Sequence, residues 1–301
     1  MSRKTQLLAS MIRASLHGGG KGSSQTRESH EFTFSAFVNW AYANNWQLTG
    51  PESIKTKHLE AFVKDRLAQG ISKRTLQKDM AALRRSLIGV GRAEFARQVT
   101  NKHLGLQARR LGFHSPLPKE KYEEARTKMN QKEPGAASVL EIGLTCGFRR
   151  EEGVRSKSEI LANFIADLEK GNILHVPGGI TKGGKARNVT LQPEQVPPAL
   201  AALKRAHKIA EENGGYLIKA LDREKAVKKY ANIASRYGGL TGEESTHSAR
   251  CSFAHANYHA LRAAGLSKQQ ALIALSLNLG HGGSGSRGRY CKMVYLRGVV
   301  D

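Results

Sequence analysis

Residues 172–191 read NILHVPGGITKGGKARNVTL, and this stretch sets the fold class. Residues 172–176 and 187–191 alternate apolar and polar side chains, the period of a strand with one buried face. The pairs Gly178-Gly179 and Gly183-Gly184 supply turns between them. The stretch is therefore a small β-ribbon. Outside it the period is helical. Upstream lie helices over 119–129, 136–146 and 149–154; downstream they follow over 198–211, 222–237, 248–264 and 267–278. A glycine-rich loop at 280–288 precedes a last helix near the C-terminus. One ribbon among many helices predicts a fold that is mainly α with a small β-ribbon.

Further towards the N-terminus, residues 111–118 (LGFHSPLP) hold two prolines and little periodicity. A domain boundary is placed there, near Ser115. Residues 29–114 before it read as an all-α module of four short helices. Phe34, Phe37, Val38, Ala41 and Tyr42 share one helical face. Leu59, Phe62, Val63 and Leu67 mark a second helix, entered at Thr56 and ended at Gly70. Ser72 caps a third with apolar Leu76, Met80, Leu83 and Leu87, and a short fourth runs near 92–99. The third carries Lys73, Arg74, Lys78, Arg84 and Arg85 against Asp79 alone, which reads as a phosphate-contacting face. Residues 1–28, basic and glycine-rich at His17-Gly18-Gly19-Gly20, read as a flexible basic arm. Residues 115–301 make a second, mixed α/β domain.

The chain has 301 residues, of which 40% are hydrophobic, enough for two globular domains of about 100–200 residues. Lys and Arg number 48 against 25 Asp and Glu, a net charge of +23. Such an excess repels itself in a compact state and calls for a polyanionic partner, nucleic acid first. No run approaches about 18 apolar residues, so no membrane span is expected. The N-terminus lacks the apolar core of a signal peptide. Cys146, Cys251 and Cys291 are odd in number and widely spaced, which fits neither a disulfide framework nor a zinc site. A reduced, cytoplasmic protein is expected, with no bound metal.

Five features carry chemistry. Gly147-Phe148-Arg149-Arg150-Glu151-Glu152 places arginines after a helix; alone, they could cap its C-terminus. Thr181-Lys182-Gly183-Gly184-Lys185-Ala186-Arg187 is a basic, glycine-rich hairpin, suited to close approach to phosphate but equally to open solvent. His247 and Arg250 share one face at the start of a helix. Leu279-Gly280-His281 ends a helix and presents a histidine. Tyr290 and Tyr295 follow close to the C-terminus.

Singly these signals are weak, but their order resembles the tyrosine recombinases, the phage-type integrases. Cys146-Gly147-Phe148-Arg149-x-x-Glu152 is similar to that family's first arginine box, and Lys182 stands where the family keeps its hairpin lysine. His247-x-x-Arg250 and Leu279-Gly280-His281 resemble the second and third boxes. The likeness covers about 118–301, and the helical part at 30–105 is similar to the family's core-binding module.

The resemblance implies a site-specific DNA recombinase or integrase. It would cleave and rejoin DNA through a 3′-phosphotyrosyl ester, without metal or ATP, to integrate or excise a mobile element. Arg149 and Arg250 would hold the phosphate oxygens, Lys182 would protonate the leaving 5′-oxygen, and His247 and His281 would bond the phosphate or carry the nucleophile's proton. Glu152 would orient one of these groups. Lys185 and Arg187 of the hairpin join Lys73, Arg74, Lys78, Arg84 and Arg85 as DNA-binding candidates. The partner would be double-stranded DNA in the bacterial nucleoid, bound by a homotetramer, with room for an accessory directionality factor. No cofactor is implied.

Two tyrosines compete for nucleophile. The family spacing of about nine residues after the histidine favours Tyr290. The apolar neighbours Met293, Val294 and Leu296 favour Tyr295, if Gly282-Gly283-Ser284-Gly285-Ser286 is an inserted loop; the reading leans to Tyr295. Two other functions fit the motifs less fully: a type IB topoisomerase that relaxes DNA by the same chemistry, and a DNA-binding protein without catalysis.

Overall fold

The computed structural model describes residues 2–19, 24–107 and 115–296. The chain divides into two compact units, 1–110 and 111–301. Residues 111–114 of the expected linker lie outside the described residues, and 115–118 have no regular structure.

The first unit is all α: α1 (Arg3–His17), α2 (Ser24–Ala43), α3 (Thr56–Ala68), α4 (Lys73–Gly89) and α5 (Ala93–Gln98). The expected flexible arm is corrected here, because most of it is helical. Ser2 caps α1 by accepting the Thr5 N–H at 3.3 Å. Leu7, Met11 and Ala14 form a buried stripe at i, i+4 and i+7, and α1 packs on α4. The approach is close: a Cβ on Gly18 would collide with the Arg85 carbonyl, and one on Gly89 with the Ala14 carbonyl. Ser72 caps α4 as its sequence predicts. Phe37 and Phe62 meet edge-on at 5.2 Å in the core, and buried Asp79 accepts the Thr33 hydroxyl at 2.9 Å.

The second unit holds α6 (Lys119–Lys132), α7 (Pro134–Cys146), α8 (Arg150–Arg155), α9 (Ser158–Lys170), β1 (Ile173–Val176), β2 (Arg187–Thr190), α10 (Val196–Glu212), α11 (Arg223–Arg236), α12 (Thr246–Ala263), α13 (Lys268–Asn278) and α14 (Gly285–Tyr295). Helix α7 is buried along almost its whole length and packs against α6, α10 and α12, so its position fixes the others. β1 and β2 are antiparallel, with Ile173 opposite Thr190 and Val176 opposite Arg187. The two differences from expectation are α9, an amphipathic helix burying Leu161, Phe164 and Leu168, and the start of α14. α14 begins at Gly285, so the supposed five-residue loop ends inside a helix and both C-terminal tyrosines stand on it.

Candidate active site

The end of α7, the start of α8, β2, the first turn of α12, the end of α13 and the end of α14 meet in one place. Gly147 ends α7 at φ 68°, and a Cβ there would collide with the Phe253 ring. Both demands select glycine. The chain then turns so that Arg149 caps α8. The Arg149 N–H donates to Glu152 Oε2 at 2.8 Å, and its Nη1 donates to Oε1 at 2.9 Å.

The Leu279 carbonyl draws the two box arginines together. It accepts Nη2–H of Arg149 at 3.1 Å and Nη2–H of Arg250. Arg250 is 1% exposed and also donates to the Gly147 carbonyl. Its Nε has no hydrogen-bond partner, and a buried donor left unpaired is costly.

Glu152 is fully buried. Arg187 forks onto it, Nη1 to Oε1 at 2.7 Å and Nη2 to Oε2 at 2.8 Å. Burial alone would raise the Glu152 carboxyl pKa. The bond and charge of Arg187, with the charges of Arg250 and Arg149, overcome this and hold it at about 2. Arg149 and Arg187 bond Glu152 and the Arg250 charge lies close by, so three guanidiniums around one carboxylate leave two positive charges in excess.

His281 follows Gly280, which turns the chain at φ 66°. Its Nε2 lies 3.2 Å from the Tyr295 hydroxyl. Burial, and then Arg250, Arg149, Arg287 and Arg187, push His281 down to about 3, so the imidazole is neutral. Tyr295 is 3% exposed. Burial raises its phenol pKa and the Arg250 charge opposes that rise. The His247 ring lies 5.6 Å from that of Tyr295, and the Arg250 guanidinium 5.9 Å from it. The Tyr290 ring, half-buried, is 4.9 Å from His281. Both tyrosines therefore flank His281, and the hydroxyl bonded to it is that of Tyr295.

Lys182 is exposed on the loop between the strands. It lines a cavity of about 740 Å³ with Arg149, Lys185, Arg187, Asn188 and Gly280. Among the described residues, no three His, Cys, Asp or Glu side chains lie together as a metal-binding group.

The expected DNA-binding set divides. Lys73, Arg74, Lys78 and Lys185 are exposed. Arg84 is not a free surface base: its Nε donates to the Val99 carbonyl at 2.8 Å and its Nη2 to Asn101, tying α4 to the end of α5. Arg85 is half-buried and close enough to His30 to lower that group's pKa, after burial. Arg187 is corrected from the DNA surface to the interior, its side chain 8% exposed against Glu152. It shares the inward face of β2 with Val189, so strand alternation already pointed there. Three residues went unread: Asn257 and Asn278, bonded to each other at 3.0 Å, and His255, whose Nε2 meets the Tyr295 backbone carbonyl at 2.7 Å and fixes the end of α14. Their partners are distant in sequence, so no local pattern marks them.

A family model described as integrase matches residues 106–256, and one for the N-terminal part of phage integrases matches 4–96. The first contains Arg149, Lys182, His247 and Arg250, and stops before His281 and both tyrosines. No curated protein matches the chain. Among solved structures, a lambda integrase dimer bound to a COC′ core site is similar at a TM-score of 0.58 and 16% identity, over 94% of this chain and 76% of that one. A lambda integrase tetramer bound to a Holliday junction gives 0.57 and 14%, over 93% and 76%. The Tn1549 transposon integrase in complex with circular intermediate DNA gives 0.54 and 13%, over 95% of each chain.

Proposed function

The chain belongs to the integrase family of tyrosine recombinases, and from that premise we propose that it cuts and rejoins duplex DNA at specific sites through a 3′-phosphotyrosyl ester, integrating or excising a mobile element. Tyr295 is the nucleophile. Its Oη bonds to phosphorus as its proton passes to neutral His281, with the His247 ring 5.6 Å from that of Tyr295. The P–O5′ bond breaks, and O5′ takes a proton from Lys182. Arg149 and Arg250 hold the non-bridging oxygens, and Glu152 and Arg187 hold Arg149 in place. The ester conserves the energy of the broken bond, so rejoining needs no nucleotide.

The observation that carries this reading is the Tyr295 hydroxyl, 3.2 Å from His281 in a site with two positive charges to spare. Exposed Lys73, Arg74, Lys78 and Lys185 contact DNA phosphates. Four protomers exchange strands between two duplexes, as the lambda integrase tetramer bound to a Holliday junction suggests.

The test is a duplex carrying the recombination site with a nick just beyond the scissile phosphate, so that the cut fragment diffuses away. The protein is expected to become covalently joined to the strand ending in the 3′-phosphate, in a complex that survives denaturant and is destroyed by protease. No adduct on any site recovered from the element's ends would overturn the proposal.

A further inference from the structure

Asn278 is the last residue of α13, immediately before the Leu279-Gly280-His281 turn, and it is 4% exposed. Its side chain pairs with β2 as a neighbouring strand would. Oδ1 accepts the Thr190 N–H at 3.0 Å, and Nδ2 donates to the Thr190 carbonyl at 2.9 Å. Nδ2 also donates to Asn257 Oδ1 at 3.0 Å, and the Asn257 amide donates to Gln195 Oε1 at 2.8 Å. The Asn278 backbone carbonyl accepts Nε–H of Arg187 at 3.1 Å. One residue thus binds β2 at both of its ends.

That matters because the ribbon is two strands of four residues, too small to hold its own position. Lys182 sits at its exposed tip. The tip is closed locally by Thr181, whose hydroxyl lies 2.8 Å from the Lys185 carbonyl and 3.1 Å from that of Gly178. These bonds shape the loop but do not place it against the arginines. The place of Lys182 relative to Arg149 is set through Arg187, which bonds Glu152, and its place relative to His281 by the seam between β2 and the end of α13, where the Asn278 side chain bonds Thr190.

We propose that Asn278 is a positioning residue that holds the Lys182 hairpin against the Leu279-Gly280-His281 turn, so that the donor of the leaving-group proton and the groups that hold the phosphate move as one body. This rests on the cleavage chemistry proposed above. Loosening the seam withholds the Lys182 proton from O5′ while leaving attack by Tyr295 in place.

A bridging sulfur in place of O5′ separates proton delivery from the rest. It departs as a thiolate, whose conjugate acid has a pKa of about 8.5, and so leaves without a donated proton. The 301-residue protein, pre-bound to nicked duplexes with oxygen or sulfur at that bridge, would be followed in single-turnover adduct formation. Asn278→Ala is expected to be at least about tenfold slower than the parent on oxygen and within about threefold of it on sulfur, with Lys182→Ala showing the same split. If the alanine variant does not fold, Asn278→Asp keeps the bond from Thr190 N–H, loses the other two, and carries the same expectation. Equal slowing on both substrates, or no slowing on oxygen, would overturn the assignment of Asn278. A parent protein that forms no adduct on either substrate would instead overturn the cleavage reading itself.

Discussion

Glu152 is the residue on which the site depends most. It is a carboxylate without solvent, held by guanidiniums on two sides, so removing its charge leaves buried Arg187 and partly exposed Arg149 with no counter-charge between them. Glu152→Gln is expected to cost on the order of 3 kcal/mol, the range for breaking a buried ion pair from one side. The cost depends on pH. The folded-state pKa of about 2 lies below the ordinary 4.5, so the carboxylate stabilises the fold above pH 4.5 and that contribution is lost as pH falls towards 2. Urea unfolding of parent and variant across this window checks it: the gap between them should close in acid, and a constant gap would contradict the account. The box arginines should separate. Arg149→Ala and Arg250→Ala are each expected to slow cleavage by about 10²–10³ with DNA affinity largely kept. Arg250→Ala should also lower the melting temperature more, since Arg250 ties two backbone carbonyls and Arg149 is partly exposed. Equal loss of binding and cleavage would make both residues structural.

Helix α1 shows a local pattern that a neighbouring glycine run obscures. Leu7, Met11 and Ala14 have helical spacing, yet the glycine run that follows made the segment read as an arm. Leu7→Ala is expected to destabilise the first unit by about 2–5 kcal/mol, as for a large-to-small change in a packed core; an unchanged unfolding midpoint would restore the arm. Helix α9 was equally legible from Leu161, Phe164 and Leu168. By contrast α4 reads directly, because Ser72 and the 4-3-4 spacing of its apolar residues agree. Its charges do not, since the sequence cannot say which bases a neighbour occupies. A combined Lys73→Ala, Arg74→Ala and Lys78→Ala variant should reduce the slope of log K against log salt by about 2.7 if each base meets one phosphate. Arg84→Ala should leave that slope unchanged and weaken the fold, as its donors serve the end of α5. The site follows the same division. The arginines, the histidines and the lysine stand in motifs, whereas Asn257, Asn278 and His255 gain their meaning from bonds to residues 21 to 88 positions away.

The chain as a whole carries +23, and this charge is the sequence-level property that most narrows its partner. Binding to duplex DNA should weaken steeply with salt, by about 0.9 in the logarithm for every phosphate neutralised. Titrations of the 301-residue protein between low and physiological salt would test it, and a flat response would remove nucleic acid as the reason for the charge. Both units match parts of the integrase family, so steep salt dependence and chemistry are expected from the same molecule.

The most direct measurement is the identity of the tyrosine in the trapped covalent complex. Tyr295→Phe and Tyr290→Phe keep their rings and packing and lose only the hydroxyl. The account predicts that Tyr295→Phe forms no adduct on the nicked duplex, that Tyr290→Phe still forms one, and that proteolysis of the parent complex leaves the DNA on the peptide containing residue 295. An adduct that persists in Tyr295→Phe and vanishes in Tyr290→Phe would contradict it.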